Sequence, residues 1–422
     1  MFHTIRDAWK IPDLRKKILY TLLMLAIVRI GSTMPSPFID ASLVNEYFST
    51  SGGVLALFDV MSGGAFSNMN LFAMGITPYI NASIIMNLLT IAIPRLEELN
   101  KDGESGRKKI AQYTRYMTIV LALIQAFGIS YSLNANYGII SSEVNAVWAI
   151  IVSIFTFTAG TAFVMWIGEN ITAKGIGNGI SLIIFVNILS RVPSAITSLS
   201  TYENKWALVI MAILFLLIIA FVVLLSLGER RLPVQYAKRT QGRKTYGGQS
   251  TNIPIRVNLA GVIPIIFAIS LISFPQIITS FFTSNPNGFW GTVLSWLNTS
   301  HPFGAVLYVV LIILFTYFYA SITFNPMEIA NNMKKNGGFI PGIRPGKSTY
   351  EYIKKVSKYV IFIGAIGLAV IASLPVIMSF IFQIDNLNIG GSSLLIVVGV
   401  ALETVKQIES MMVTRHYKGF LR

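Results

Sequence analysis

Gly52-Gly-Val-Leu-Ala-Leu-Phe-Asp-Val-Met-Ser-Gly-Gly64 is the stretch on which the reading of this chain turns. Between its two glycine pairs lies a short, mostly apolar run, Val54 to Met61. At about 1.5 Å per residue such a run reaches about 12 Å, far short of a bilayer core of about 30 Å. A full-length apolar segment follows at 71–93, interrupted by Pro78, Asn81, Ser83 and Asn87. Inside a membrane, backbone that breaks off partway is tolerated only where protein buries it or where it lines a cavity. The pair is therefore expected to form a re-entrant stopper leading into a pore-lining helix, with the other segments as the surrounding wall.

The composition supports that setting. The 422 residues are 54% hydrophobic and 12% charged, with a mean hydropathy of +0.65, against about 25% charged for an ordinary soluble protein. The expectation is an all-α, polytopic membrane protein. With no cysteine there is neither a disulfide nor a thiolate metal site. His3, His301 and His416 lie far apart at segment ends, which argues against a histidine-built metal or catalytic centre. No metal, no cofactor and no catalytic residue is expected.

Outward from the opening stretch, apolar segments lie at 18–35, 71–93, 113–133, 146–167, 175–192, 206–228, 258–282, 303–323, 357–382 and 391–409. Each is close to the roughly 20 residues a spanning helix needs, giving ten spans. The first is kept as a retained span because no small-residue cleavage pattern follows it. With the amino terminus placed in the cytoplasm, the inner segments carry 28 of the 33 lysines and arginines, and Arg115 and Lys358 at the span edges make 30. The three left over are Arg29, Arg191 and Lys205. That bias follows the positive-inside rule with both termini cytoplasmic. Arg29, near the outer end of the first span, is expected to snorkel outward or to pair. Span centres otherwise lack charge, whereas ion-coupled transporters usually place ionisable groups there.

Several motifs reduce to simpler readings. Gly342-Ile-Arg-Pro-Gly-Lys-Ser348 is one residue too short for a phosphate-binding loop, and Pro345 removes an amide the cradle would need. Gly175-Ile-Gly-Asn-Gly179 reads as a tight turn into the fifth span rather than a dinucleotide fingerprint. Ile76, Ile80 and Ile84 share one helix face, as do Ile180 and Ile184. Isoleucines in membrane helices ordinarily face lipid or pack. Only if these faces converge on one axis would they form a dewetted constriction. The inner loops 229–257 and 324–355 hold thirteen basic residues. They either orient the protein or dock it, onto ribosomal RNA phosphates or an acidic protein.

Longer stretches then become recognisable: Phe72-Ala-Met-Gly-Ile-Thr-Pro-Tyr-Ile-Asn-Ala-Ser-Ile-Ile85, Gly103-Glu-Ser-Gly-Arg-Lys-Lys-Ile110 with Gln112-Tyr-Thr-Arg-Tyr116, and Ile171-Thr-Ala-Lys-Gly-Ile-Gly-Asn-Gly-Ile-Ser181. Further along stand Tyr236-Ala-Lys-Arg239, Asn258-Leu-Ala-Gly-Val-Ile-Pro264, Phe339-Ile-Pro-Gly-Ile-Arg-Pro-Gly346 and Gly390-Gly-Ser-Ser-Leu-Leu-Ile396. In these, and over nearly its whole length, the chain resembles the SecY-type protein-translocation channels.

The resemblance implies ten transmembrane helices in two inverted five-helix halves, 1–192 and 206–422, hinged at the outer loop 193–205. It implies a re-entrant plug helix at about 53–64, with Gly53 and Gly64 at its ends, Phe58 and Met61 toward the constriction, and Asp59 as a departure that either loosens closure or calls for a partner. It places a pore ring at Ile76, Ile80, Ile180, Ile184, Ile266 and Ile396. A lateral gate would open between spans two and three and spans seven and eight, at Ser83, Asn87, Pro264 and Ser270. Partner docking falls to Arg239, Arg243, Arg344 and Lys347 in the two basic loops. The implied function is a protein-conducting channel in a bacterial plasma membrane, driven by a partner because the chain has no nucleotide site. Implied partners are the SecE and SecG small membrane subunits, the SecA motor ATPase, the ribosome, signal sequences, nascent polypeptides and the lipid bilayer. A secondary transporter with broken helices is the alternative from another class, and an intramembrane enzyme a weaker third.

Overall fold

The computed structural model describes residues 2–40, 44, 59–138, 145–200, 205–236, 239–241, 244–246, 250–282, 289–297, 301–382 and 391–419. Its helices are α1 (Phe2–Lys10), α2 (Pro12–Gly31), α3 (Thr77–Ala92), α4 (Pro94–Lys101), α5 (Glu104–Tyr137), α6 (Ala146–Lys174) and α7 (Gly179–Ser200). After α8 (Lys205–Leu227) come strands β1 (Glu229–Tyr236), β2 (Arg239–Gln241), β3 (Lys244–Tyr246) and β4 (Ser250–Arg256). The remainder is α9 (Ile263–Phe282), α10 (Phe289–Leu297), α11 (Pro302–Thr323), α12 (Pro326–Lys335), β5 (Gly338–Phe339), α13 (Lys347–Phe382) and α14 (Gly391–Gly419).

A helix lies at each of the apolar segments read from the sequence, and several overrun them. α5 continues beyond 113–133 at both ends, and at the first end the flanking glutamate, lysine and arginine residues are good helix formers. α3 begins at Thr77 instead of residue 71, with Pro78 in its first turn, where a missing amide costs nothing. Its inner end turns by 99° into α4 at Pro94, a short helix not anticipated from the sequence. α7 runs through Pro193 to Ser200, so most of the stretch expected as an outer hinge loop is helical. The Gly175–Gly179 stretch forms the expected turn between α6 and α7, with Gly177 at φ +81.

Among the described residues three helical runs are individually long and apolar enough to cross a membrane: Ala146–Lys174, Pro302–Lys335 and Lys347–Leu374. The bent pair α3–α4 supplies a fourth. The outward faces carry large apolar side chains, with Phe155 65%, Leu216 67%, Leu224 70% and Ile363 59% exposed. An apolar exterior of this extent belongs in lipid rather than water. The chain is a multi-pass, mostly helical membrane protein.

Packing sorts the helices into two groups. In the first, α2 touches α6 and α7, α3 touches α5 and α6, and α5–α6–α7 pack in succession. In the second, α8 touches α13 and α14, α9 packs on α11, and α11–α13–α14 follow in succession. The groups meet along two seams: α9 lies against α3 and α5, and α14 lies against α7.

The all-α expectation misses one feature. The two basic loops meet in a three-stranded antiparallel sheet of order β4-β1-β5, with Leu232 opposite Ile253, Val234 opposite Thr251, and Gln235 opposite Phe339. Along β1 the side chains alternate, Leu232 and Val234 buried, Arg231, Pro233 and Gln235 exposed, the period of two that a sheet demands. Pro233 is tolerated because β5 pairs only at Gln235 and Tyr236. The buried face rests on Ile255, Met333, Ile340 and Ile353, a small apolar core shared by both loops.

Candidate functional site

The largest apolar core runs through the middle of the bundle and gathers residues from both groups. Ile76 and Ile80 enter it near the start of α3, Ile184 from α7, Ile266 from α9 and Ile396 from α14, each no more than 6% exposed. Ile180, half-buried, packs against its edge. Four helices distant in sequence thus bring five of these isoleucines into one cluster and the sixth against it. Ile84, Ile183, Ile188 and Ile269 belong to it as well.

The short segment between the glycine pairs reaches the same cluster. Residues 59–62 are helical, and Val60 and Met61 are 2% and 7% exposed within the core. Gly53 and Phe58 lie outside the described residues. Two glycines at the other end turn the chain away, Gly63 at φ +70 and Gly64 at φ +89, a region costly for any residue with a Cβ. They also admit close neighbours. A Cβ on Gly63 would stand 2.5 Å from Arg29 Nη1, and one on Gly64 would stand 2.9 Å from the Arg191 guanidinium.

A polar seat surrounds this end. Asn187 Nδ2 donates to the Met61 carbonyl at 3.0 Å, and Arg29 Nη1 to the Gly63 carbonyl at 3.4 Å. Arg191 Nη2 pairs with Asp59 Oδ2 and donates to Ser67 Oγ at 3.1 Å. The second carboxylate oxygen of Asp59 accepts from the Ser67 amide at 2.8 Å. The carboxylate and guanidinium are only 14% and 28% exposed. Asp59 thus has a charged partner, and Arg29 donates to a backbone carbonyl of the same segment. The sequence marks Arg191 only as a basic residue outside the inward charge bias and does not mark Asn187 at all. The signal was nonetheless there: Ile180, Ile184, Asn187 and Arg191 are spaced by four, three and four, one stripe along α7.

α3 and α9 touch between the groups; Ser83 and Asn87 are half-buried on α3, while Pro264 and Ser270 are buried on α9. About 9 Å of helix separates the last two. Arg344 and Lys347 are exposed on the turn that leads into α13, where Arg344 O accepts from Thr349 Oγ1 at 2.9 Å. Arg239 opens strand β2, and Arg243 lies outside the described residues. Arg115 of α5 and Glu169 of α6 form an ion pair at 2.8 Å that ties two neighbouring helices together.

Comparison with known proteins gives this arrangement a context. The family model described as SecY matches residues 70–405. The protein translocase subunit SecY of Halalkalibacterium halodurans is 45% identical over the full length of both chains, and that of Bacillus subtilis 44%. The same-named protein of Mycobacterium tuberculosis strain H37Rv is 46% identical over 97% of each chain. Among solved structures, one described as a protein-conducting channel superposes with a TM-score of 0.65 at 17% identity, covering 97% of both chains. Another, described as showing that the plug domain of SecY stabilises the closed state of the translocation channel, gives 0.63 at 17% identity with the same coverage. Canine Sec61 in a ribosome–channel complex gives 0.62 at 15% identity, again over 97% of each chain. This chain belongs to the SecY family.

Proposed function

We propose that this chain is the protein-conducting channel of a bacterial plasma-membrane translocase, closed at an isoleucine waist and stoppered by the segment around 53–64. One observation carries the reading: isoleucines from α3, α7, α9 and α14 and the stopper residues Val60 and Met61 occupy a single buried cluster. A polypeptide in transit has no fixed sequence, so the waist must grip without reading. Isoleucine offers bulk and no hydrogen-bonding group, and a collar of such side chains excludes water and ions when it closes on itself or on a passing chain.

The ten long helices act as ten spans in two inverted halves. Their packing favours this, since nearly every pairing in the first group has a counterpart in the second: α2 with α6 and α7 matches α8 with α13 and α14, and α3 with α5 matches α9 with α11. The α9 seam with α3 and α5 is the lateral gate, where Ser83, Asn87, Pro264 and Ser270 sit. The α14–α7 seam is the side that stays closed. An apolar signal helix intercalates at the gate and biases the closed–open equilibrium; segments apolar enough then leave sideways into lipid. The basic sheet platform, with Arg239, Arg243, Arg344 and Lys347, docks a ribosome or the SecA motor, and SecE and SecG flank the bundle.

Vesicles containing the purified complex test the reading. Given a motor and ATP, they should take up a tethered unfolded polypeptide. Accumulation of a small solute down an ion gradient, with no polypeptide uptake, would replace the channel by a transporter.

A further inference from the structure

The stopper is held shut by more than apolar burial. We propose that Arg191 is the residue that positions it, through a charge-specific latch to Asp59, with Arg29 and Asn187 as the accompanying clasp. The inference rests on the stopper reading above and adds to it the chemistry that seats the stopper and the helix that sets its height.

The sequence gives the first reason. Arg29 and Arg191 are two of the three basic residues that the inward charge bias leaves unexplained. Guanidinium groups near the outer ends of apolar helices stand against both the orientation rule and the cost of burial. They persist where a specific partner compensates. Both reach the same five-residue stretch, Asp59 to Gly63 with Gly64 adjoining, one from α2 and one from α7.

Geometry gives the second. α7 carries Ile180 and Ile184 at the waist, Asn187 one turn outward and Arg191 the next turn beyond, all on one stripe. From Ile184 to Arg191 the rise is about 10 Å. The helix that builds part of the waist therefore also carries the hooks for what sits above it. Asn187 takes the Met61 carbonyl and Arg191 takes the Asp59 carboxylate, so the apolar face of the stopper is presented to the isoleucines at a fixed height. The two glycines are part of the fit, because a side chain at either would collide with the guanidinium that faces it.

The test is a set of variants read by ion flux from vesicles with the idle channel. Arg191→Met keeps the aliphatic stem and removes the charge; it should raise the idle leak by roughly ten-fold or more, as expected for losing a charged hydrogen bond. Arg191→Lys should restore most of the seal, and the exchange Asp59→Arg with Arg191→Asp should leak less than either single change. The same Arg191→Met is then placed in a chain deleted for residues 53–64, where it should add nothing. An unchanged leak in the otherwise intact Arg191→Met channel, or a further increase on the deleted background, would overturn the latch; the second result would assign Arg191 a general structural role. If the deletion alone leaves the leak unchanged, the stopper reading itself fails and the latch falls with it. Membrane levels of each variant, measured in parallel, separate misfolding from leakage.

Discussion

Truncating the waist is the most direct way to weigh its contribution. Ile184 is 1% exposed in the central cluster, and Ile184→Ala removes three carbons from it. At about 0.8 kcal/mol per buried methylene the transfer loss is about 2.4 kcal/mol, before any cavity left behind adds to it. Not all of this bears on opening. In the shut state the side chain packs both on the wall and in the cluster that holds Val60 and Met61; when the stopper leaves, only the stopper-facing share changes. Taking that share as half, the closed state loses about 1.2 kcal/mol, close to a ten-fold rise in the open population, since 1.4 kcal/mol is a factor of ten. The assay is chloride or potassium efflux from vesicles containing the channel without a motor, together with export of a reporter whose signal sequence has been weakened. Efflux should rise roughly eight-fold by the same arithmetic, and the weak signal should become more effective, because less of its binding energy is spent on opening. A neighbouring truncation outside the cluster, Leu189→Ala on the exposed face of α7, serves as the control. Equal effects at the two positions, or none at Ile184, would refute the waist.

Three further outcomes follow from the same geometry. Gly64→Ala forces a side chain into the left-handed region at a cost of about 1–2 kcal/mol and against the Arg191 guanidinium; idle efflux should rise while helix content by circular dichroism stays unchanged. Arg344→Glu reverses an exposed charge on the inner platform; export should stop and motor or ribosome binding should weaken, with the channel still inserting normally, and full binding by this variant would remove the docking role. Leu232→Ala empties the small core beneath β1 and should destabilise the platform by about 2–5 kcal/mol, visible as faster proteolytic cleavage in the loops 229–257 and 324–355 while the membrane helices stay protected.

How much of this was legible beforehand depends on which residues carried the signal. The helices were, because runs of twenty apolar residues admit few other structures in lipid. Their ends were less so. Glu104 to Ile110 of α5 is charged, and charge marks where the membrane stops rather than where the helix stops. The sheet has a sequence signal: Leu232, Val234 and Tyr236 alternate with Arg231, Pro233 and Gln235, as Ile253, Ile255 and Val257 alternate with Asn252, Pro254 and Arg256. Its basic content drew attention to charge and away from the period of two. For the central cluster the spacing of Ile76 and Ile80, or of Ile180 and Ile184, identifies a face, but which way a face points is a tertiary fact. The resemblance to known channels implies a direction for each face; the structure shows five of the six side chains buried. The Asp59–Arg191 pair spans 132 positions, and no local pattern announces a contact at that distance. Only the oddity of each charge, an acid in a stopper and a base on the wrong side, pointed to a missing partner.

That oddity has a physical use. Apolar burial alone makes a stopper that is held in proportion to the area it covers, so any partial lift loses only part of the grip. An ion pair behaves differently. With carboxylate and guanidinium 14% and 28% exposed, the attraction acts through a medium that excludes most water, where charges interact several times more strongly than in bulk. Once the stopper shifts and water enters the outer funnel, the same pair becomes an exposed surface salt bridge, worth about 0–1 kcal/mol. The latch therefore grips while the seat is dry and lets go when it is wet, which sharpens a graded release into a two-state one. On the proposed reading, the isoleucine waist seals without reading sequence, and the ion pair above it leaves the stopper either seated or gone, with few half-open channels to leak between.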